Sequence, residues 1–241
     1  MALDIYVGSF TRYHAGTWEN VVARCCREQG MQYYTSHHKT TGSPAEQEDA
    51  VTDPAILRPA VEAWRAALNA SLATVLPAGL SWEESEDTKW FSDRPYWEGY
   101  ASLIRIAAQH EHPDMPFPQE VTTDWTTDAA YQASMSEGFK SRFSHLFRAE
   151  IWLPCPFEFT FTGPDLPGRE TSFGSSVRLL EQLRSLNAET YGGSADDVAE
   201  WMRQGGGPPG SFEQAAKLGL GQFLHHAELS VEHCLPMKLD Y

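Results

Sequence analysis

The segment Ser211–Tyr241, SFEQAAKLGLGQFLHHAELSVEHCLPMKLDY, predicts a long helix that is followed by a short strand. Ser211 and Gln214 have the spacing of a capping box, in which each side chain accepts from the other residue's backbone N–H. Apolar residues recur on one face of this helix, namely Ala216, Leu220, Phe223, Leu224, Ala227 and Val231. Pro236 ends the helix, and the residues from Met237 onward alternate as a final strand does. We therefore expect a core helix that connects directly to the last strand.

The rest of the chain has the same pattern of amphipathic helices and a few short strands. Helices are predicted from Thr17 to Gly30, from Asp53 to Leu76, at about 96–110, from Thr126 or Thr127 to about 150, from Ser175 or Ser176 through Leu186, and from Ser194 to about 204. Strands are predicted at 3–10, 31–38, 157–163 and 169–173.

These elements predict the α+β class, as one mostly helical domain over residues 1–241 with a small mixed β-sheet. The first strand is expected to lie near the last one. Polar stretches rich in Gly, Ser and Pro predict flexible loops at about 39–52 and 205–210.

The charge balance restricts the classes of partner. The 241 residues include 33 acids and 18 Lys or Arg, so the formal net charge is −15. Such a field repels nucleic-acid phosphates and anionic lipids, which predicts neither a nucleic-acid nor a membrane partner, and it attracts a basic protein. Because the chain shows no leader pattern, no apolar membrane span and no CxxC spacing among its four cysteines, we expect a cytoplasmic protein with free thiols.

The segment 81–95, SWEESEDTKWFSDRP, is the predicted partner-binding surface. Aromatic anchors supply contact energy and acids steer a basic partner, and this stretch combines both. The predicted contact residues are Trp82, Glu83, Glu84, Glu86, Asp87, Trp90 and Asp93. The alternative is a solvated acidic turn whose tryptophans fold back on the core.

A metal-dependent hydrolase is the main alternative function. His225, Glu228 and Glu232 have i, i+3 and i+7 spacing, which puts one imidazole and two carboxylates on one helical face. The same residues also fit a solvated rim, and neither HEXXH nor GxSxG occurs. A small-molecule sensor with an aromatic pocket is a third possibility. No cofactor motif is present, so we expect no cofactor, and a binding protein is preferred to an enzyme.

The two ends of the chain resemble those of a group of uncharacterised bacterial proteins. The resemblance rests on MALDIYVGSFTRY at residues 1–13 and VEHCLPMKLDY at residues 231–241. It implies a bacterial source and no particular activity. Small acidic bacterial proteins of this kind also resemble, as a class, immunity proteins that cover the basic active face of a toxin. The leading hypothesis is therefore an acidic binding protein, with an immunity protein against a basic toxin as its specific form.

Overall fold

The structure, a computed structural model, describes residues 3–32, 53–85, 87–136, 140–203 and 209–241. Its helices are α1 (Phe10–Ala15), α2 (Val21–Glu28), α3 (Pro54–Leu72), α4 (Tyr96–Glu111), α5 (Ala129–Ser136), α6 (Ser144–Arg148), α7 (Ser176–Thr190), α8 (Ala195–Arg203) and α9 (Phe212–His233). Its strands are β1 (Asp4–Val7), β2 (Phe91–Asp93), β3 (Ile151–Leu153), β4 (Phe161–Pro164), β5 (Glu170–Ser175) and β6 (Met237–Asp240). This is the predicted α+β architecture.

The six strands form one mixed sheet in the order β2-β1-β6-β3-β5-β4. Only the β3–β5 pair is parallel among these strands, and the other neighbours are antiparallel. The first and last strands pair with Asp4 opposite Asp240 and Val7 opposite Met237, as expected from the sequence. Both ends of the chain therefore lie in the middle of the sheet.

Each face of the sheet carries its own apolar cluster, because successive side chains of a strand point to opposite faces. The first cluster contains Ile5, Trp152 and Met237, which pack with α4, α7 and α9. The second contains Ile151 and Phe173 from the sheet. These two residues pack with Phe10 of α1 and with the α3 residues Val61 and Leu68. The part of the second face formed by β1 and β6 is polar instead.

Helix α9 crosses α4 at a point where both helices carry glycine. A Cβ atom added to Gly219 would lie 2.2 Å from the carbonyl oxygen of Gly99, which no side chain tolerates. A Cβ added to Gly99 would meet nothing closer than 3.6 Å. The close approach therefore depends on Gly219 alone.

The predicted helix starts are mostly confirmed. Asp53, Ser175 and Ser211 each accept a backbone N–H in the first turn of their helix. The predicted start at Ser194 is also confirmed, since Ser194 and Asp197 form a reciprocal contact at the start of α8. In α9 the reciprocal contact is shifted by one residue, since Gln214 accepts from the N–H of Gly210. The helix ends at His233 before Pro236, with Cys234 as a left-handed cap.

Other predicted elements differ from the structure. The second helix begins at Val21 after an Asn20 cap, so the predicted start at Thr17 is wrong. The helix predicted for 126–150 is instead α5 and α6, separated at Lys140–Phe143, with an Asp128 cap. Strand β2 lies in a stretch predicted as loop, and β3 was not predicted at all. Of the strand predicted at 157–163, only the residues from Phe161 pair with a neighbour.

Several predictions lie outside the described residues. They concern the strand at 31–38 from residue 33 onward, the loop at 39–52, and residues 205–208 of the loop at 205–210. Within the described ranges, no helix combines the length and the apolar character needed to cross a bilayer.

Candidate functional site

Two residues of the predicted partner surface lie inside the protein. Trp82 is 4% exposed and Glu84 is 5% exposed. Trp82 packs against Phe10 and Trp64 in the second apolar cluster. The burial of Trp82 and Glu84 therefore contradicts their predicted place on a partner-binding surface. For Trp82, the alternative that the tryptophans fold back on the core is the one observed.

Glu84 instead holds the start of α1. Its carboxylate accepts from the backbone N–H groups of Phe10 and Thr11, each at 2.9 Å, and from the Thr11 hydroxyl at 2.8 Å. The indole N–H of Trp82 donates to the same carboxylate at 2.6 Å. A helix start has unpaired N–H groups, and a carboxylate satisfies them well. This buried acid is therefore a structural residue.

The other residues of the predicted surface remain accessible in part. Glu83 and Asp87 are exposed, Trp90 and Asp93 are half-buried, and Glu86 lies outside the described residues. The backbone N–H of Glu83 donates to the carbonyl of Cys234 at 3.0 Å, which ties this stretch to the end of α9. There Phe91 stacks on the ring of His233, with centroids 5.2 Å apart.

We use the name α9-end surface for the exposed acids Glu83 and Glu232 at this point, together with Asp87, which follows Glu83 by four residues in the same loop. Within the described residues, Glu83 and Asp87 make no ion pair, and Glu232 only approaches the adjacent His233 at 3.9 Å. The carboxyl end of a helix carries partial negative charge of its own. Burial and the Glu83 carboxylate both raise the pKa of the Cys234 thiol, as expected beside a negative surface. The α9-end surface therefore combines exposed carboxylates with the negative end of a helix dipole.

The three residues proposed for a metal site do not act together. Glu228 pairs with Arg184 at 2.9 Å, while His225 packs edge-on against His226. Glu232 lies at the exposed end of the helix. No group of three or more His, Cys, Asp or Glu side chains in the described part of the chain is arranged to hold a metal ion. The metal-dependent hydrolase therefore has no donor set at His225, Glu228 and Glu232, which form the solvated rim considered as the alternative.

Three histidines are held neutral by their surroundings. Burial lowers the pKa of His145 and His226 to about 4, and burial followed by the Lys238 charge does the same for His14. His226 hydrogen-bonds the carbonyl oxygen of Gln222 through Nδ1 at 2.8 Å, one turn earlier in α9. These imidazoles are parts of the core or its edge.

A polar cluster covers the β1–β6 part of the second sheet face. The Tyr13 hydroxyl donates to Asp240 at 2.5 Å, and the Lys238 ammonium lies 5.3 Å from the centre of the Tyr13 ring. Burial lowers the pKa of Lys238 and, with the Asp240 charge, raises the pKa of Tyr13. Perturbed groups of this kind occur in active sites and in structural networks alike. Here the hydrogen bond joins α1 to the last strand, which is a structural role.

A cleft with aromatic walls lies between the start of α4 and the loop before α5. We call it the Trp97 cleft. Its volume is about 880 Å³, and its lining residues are Leu3, Arg94, Tyr96, Trp97, Glu98, Thr123, Asp124, Trp125 and Thr126. The rings of Trp97 and Trp125 are nearly parallel, with an interplanar angle of 16° and centroids 6.2 Å apart. The helical pattern at about 96–110 predicts Trp97 on the core face of its helix, and no predicted element includes Trp125.

Comparisons with known proteins found no match. No family model matches the chain, and no curated protein or solved structure matches it. The resemblance of the two chain ends to a bacterial group therefore stays a prediction, and function has to be argued from the chain's own surfaces.

Proposed function

We propose that this chain is an acidic, cytoplasmic binding protein for a basic protein partner. Its specific form would be an immunity protein that neutralises a basic toxin. The observation that carries the proposal is the α9-end surface, where the exposed acids Glu83 and Glu232 lie beside the carboxyl end of a long helix and Asp87 follows Glu83 in the same loop. Opposite charge on a partner would speed the encounter, and Phe91 and Trp90 would add apolar contact area beside the acids.

Many cations of the chain form ion pairs with its own acids. Ten described cations pair with acids of the same chain, namely Arg27, Arg58, Arg94, Arg105, Arg142, Arg169, Arg178, Arg184, Arg203 and Lys217. Most of these pairs are exposed and contribute little to stability. These pairs nevertheless place each of the ten positive charges beside an acid, whereas Glu83 and Asp87 form no ion pair within the described residues.

The test measures association with the basic product of an adjacent gene by stopped flow. We expect the association rate constant to fall by about tenfold or more between 50 and 300 mM NaCl, because salt screens long-range attraction. The double variant Glu83→Lys/Asp87→Lys should slow association at low salt. Glu84 is excluded from this variant because its substitution would disturb α1.

The matched control is Asp114→Lys/Glu170→Lys, which changes the net charge by the same amount at two exposed positions outside the α9-end surface. A much smaller effect of the control supports the proposed surface. Equal slowing by both pairs would show that only net charge matters and would reject the surface. Association that is independent of salt would reject electrostatic capture altogether.

A further inference from the structure

The Trp97 cleft combines aromatic faces with negative charge. Tyr96, Trp97 and Trp125 line it together with the acidic residues Glu98 and Asp124. The face of an aromatic ring is electron-rich, so it attracts a cation, and tryptophan does so most strongly. Carboxylates at the same site add charge attraction and disfavour anions.

The charges around the cleft add up to a negative site. Among the described residues Arg94 is the one cation that lines the cleft, and Asp4 already binds its guanidinium in a bidentate contact at 2.8 and 2.9 Å. Asp124 accepts through Oδ1 from the backbone N–H of Thr126 at 2.9 Å and from its hydroxyl at 2.6 Å. These hydrogen bonds lower the pKa of Asp124, so its carboxylate stays charged at neutral pH. Its second oxygen makes no hydrogen bond within the described residues.

The backbone at the cleft is held in an uncommon conformation. Tyr96, the first residue of α4, has a φ of 56°, a value that non-glycine residues rarely adopt. Such a conformation persists where the surrounding structure imposes it, and it is found at ligand-binding positions more often than elsewhere. Trp97 is supported in turn by Tyr241, whose ring meets it edge-on at 5.3 Å. The aromatic wall is therefore fixed in place by contacts outside the cleft.

We propose that the Trp97 cleft binds an organic cation, in the form of an alkylammonium group. The indoles and Tyr96 would contact the alkyl groups and the positive charge, and Glu98 and Asp124 would balance that charge. A neutral ligand of the same shape would lose the attraction of both the rings and the carboxylates. This site is independent of the α9-end surface, so it stands or falls separately from the proposed function.

The first test compares choline with its neutral isostere 3,3-dimethylbutan-1-ol, using tryptophan fluorescence and isothermal titration calorimetry on the full chain. We expect saturable binding of choline and at least about tenfold weaker binding of the neutral alcohol. Equal affinity for the two compounds would overturn the proposal, since it would show an apolar groove with no preference for charge. Absence of saturable choline binding together with absence of binding by the peptide described below would overturn it as well.

The second test removes the charges without changing the shape. Glu98→Gln/Asp124→Asn should weaken choline binding by about tenfold, while Asn at 124 can still accept from Thr126 through its amide oxygen. The matched control Asp114→Asn/Glu120→Gln removes two acids that do not line the cleft, and it should leave the affinity unchanged. An equal loss in the control would mean that only the overall charge of the protein matters, which would reject the site.

A third measurement distinguishes the two sources of an alkylammonium group. An N-acetylated, C-amidated Gly-Lys-Gly peptide carries the group as a lysine side chain, and choline carries it as a free small molecule. Tighter binding of choline assigns the cleft to a small metabolite-like cation, and tighter binding of the peptide assigns it to a lysine of a protein. In either case Glu98→Gln/Asp124→Asn must weaken the preferred ligand, or the cleft is not its site.

Discussion

Acidification should destabilise this protein through His145, at a pH where most carboxylates are still charged. The imidazole is 1% exposed, and its Nδ1 accepts from the backbone N–H of Ser175 at 3.0 Å. A proton on Nδ1 would place two donors against each other. Burial, and then the nearby Arg178 charge, lower the pKa of His145 from 6.5 to about 4. The folded state therefore resists the proton that the unfolded chain accepts.

The sign and size of the effect follow from these two pKa values. Because the folded pKa is the lower one, His145 contributes its full stability above pH 6.5 and loses it as the pH falls toward 4. A shift of this size corresponds to about 3 kcal/mol once the pH is below both values. Between pH 7 and pH 5 we expect a loss of about 2 kcal/mol in the free energy of unfolding from this residue alone.

The variant His145→Asn isolates this contribution. The asparagine amide oxygen can accept from the Ser175 N–H, and it does not titrate in this range. Urea unfolding of both proteins at pH 7, 6 and 5 should show the wild type losing about 2 kcal/mol more than the variant. His145→Asn should be less stable at pH 7, because a smaller side chain replaces a buried ring.

The exposed His225 provides the control, since His225→Asn should follow the wild-type pH profile closely. The contributions of His14 and His226 are common to the wild type and His145→Asn, so they cancel in that comparison. Parallel profiles for the wild type and His145→Asn would refute the reasoning. They would mean that the folded protein accepts the proton as easily as the unfolded chain does.

Three further predictions concern packing and thiol chemistry. Glu84→Ala should lower the free energy of unfolding by about 3 kcal/mol or more in urea, because four buried donors lose their acceptor. Gly219→Ala should destabilise the fold by several kcal/mol and Gly99→Ala should be close to neutral, since only the first adds an atom against the facing backbone. Thermal melting of the two variants distinguishes these outcomes. A chromogenic disulfide reagent should react quickly with the exposed Cys25 and with Cys155 only on unfolding, because burial raises the pKa of the Cys155 thiol. Fast labelling of Cys155 in the folded protein would contradict this structure of the core.

Local patterns in the sequence predict the helices well and the strands poorly. The caps at Asp53 and Ser175 could be predicted because a cap depends on residues within one turn. Strand β2 is three residues long and exists because it pairs with β1, more than 80 positions away in sequence. The opposite error occurs at Phe157 and Phe159. Both alternate as strand residues do, yet they pack as side chains in the second apolar cluster without a strand partner.

The positions of individual side chains in the candidate site were also hard to predict from the sequence, because they depend on distant residues. The charge of Glu84 and its acidic neighbours predict a position on the surface, where glutamates usually lie. Its actual position depends on donors from Phe10 and Thr11, more than 70 positions earlier. Trp97 and Trp125 combine with Glu98 and Asp124 only through the tertiary structure, so no motif could have indicated their cleft. The residue types therefore indicate which chemistry is available, but the sequence does not indicate where in the fold those side chains lie.

The sheet also limits what the resemblance of the chain ends can mean. The two segments that carry it include β1 and β6, which pair with each other at the centre of the sheet. Tyr13 of the first segment donates to Asp240 of the second, so the two ends constrain each other through a direct contact. Of the α9-end acids only Glu232 falls within those segments, and of the residues that line the Trp97 cleft only Leu3 does. A resemblance confined to these ends would therefore report mainly a shared sheet, and a shared function would have to be sought in the residues between them.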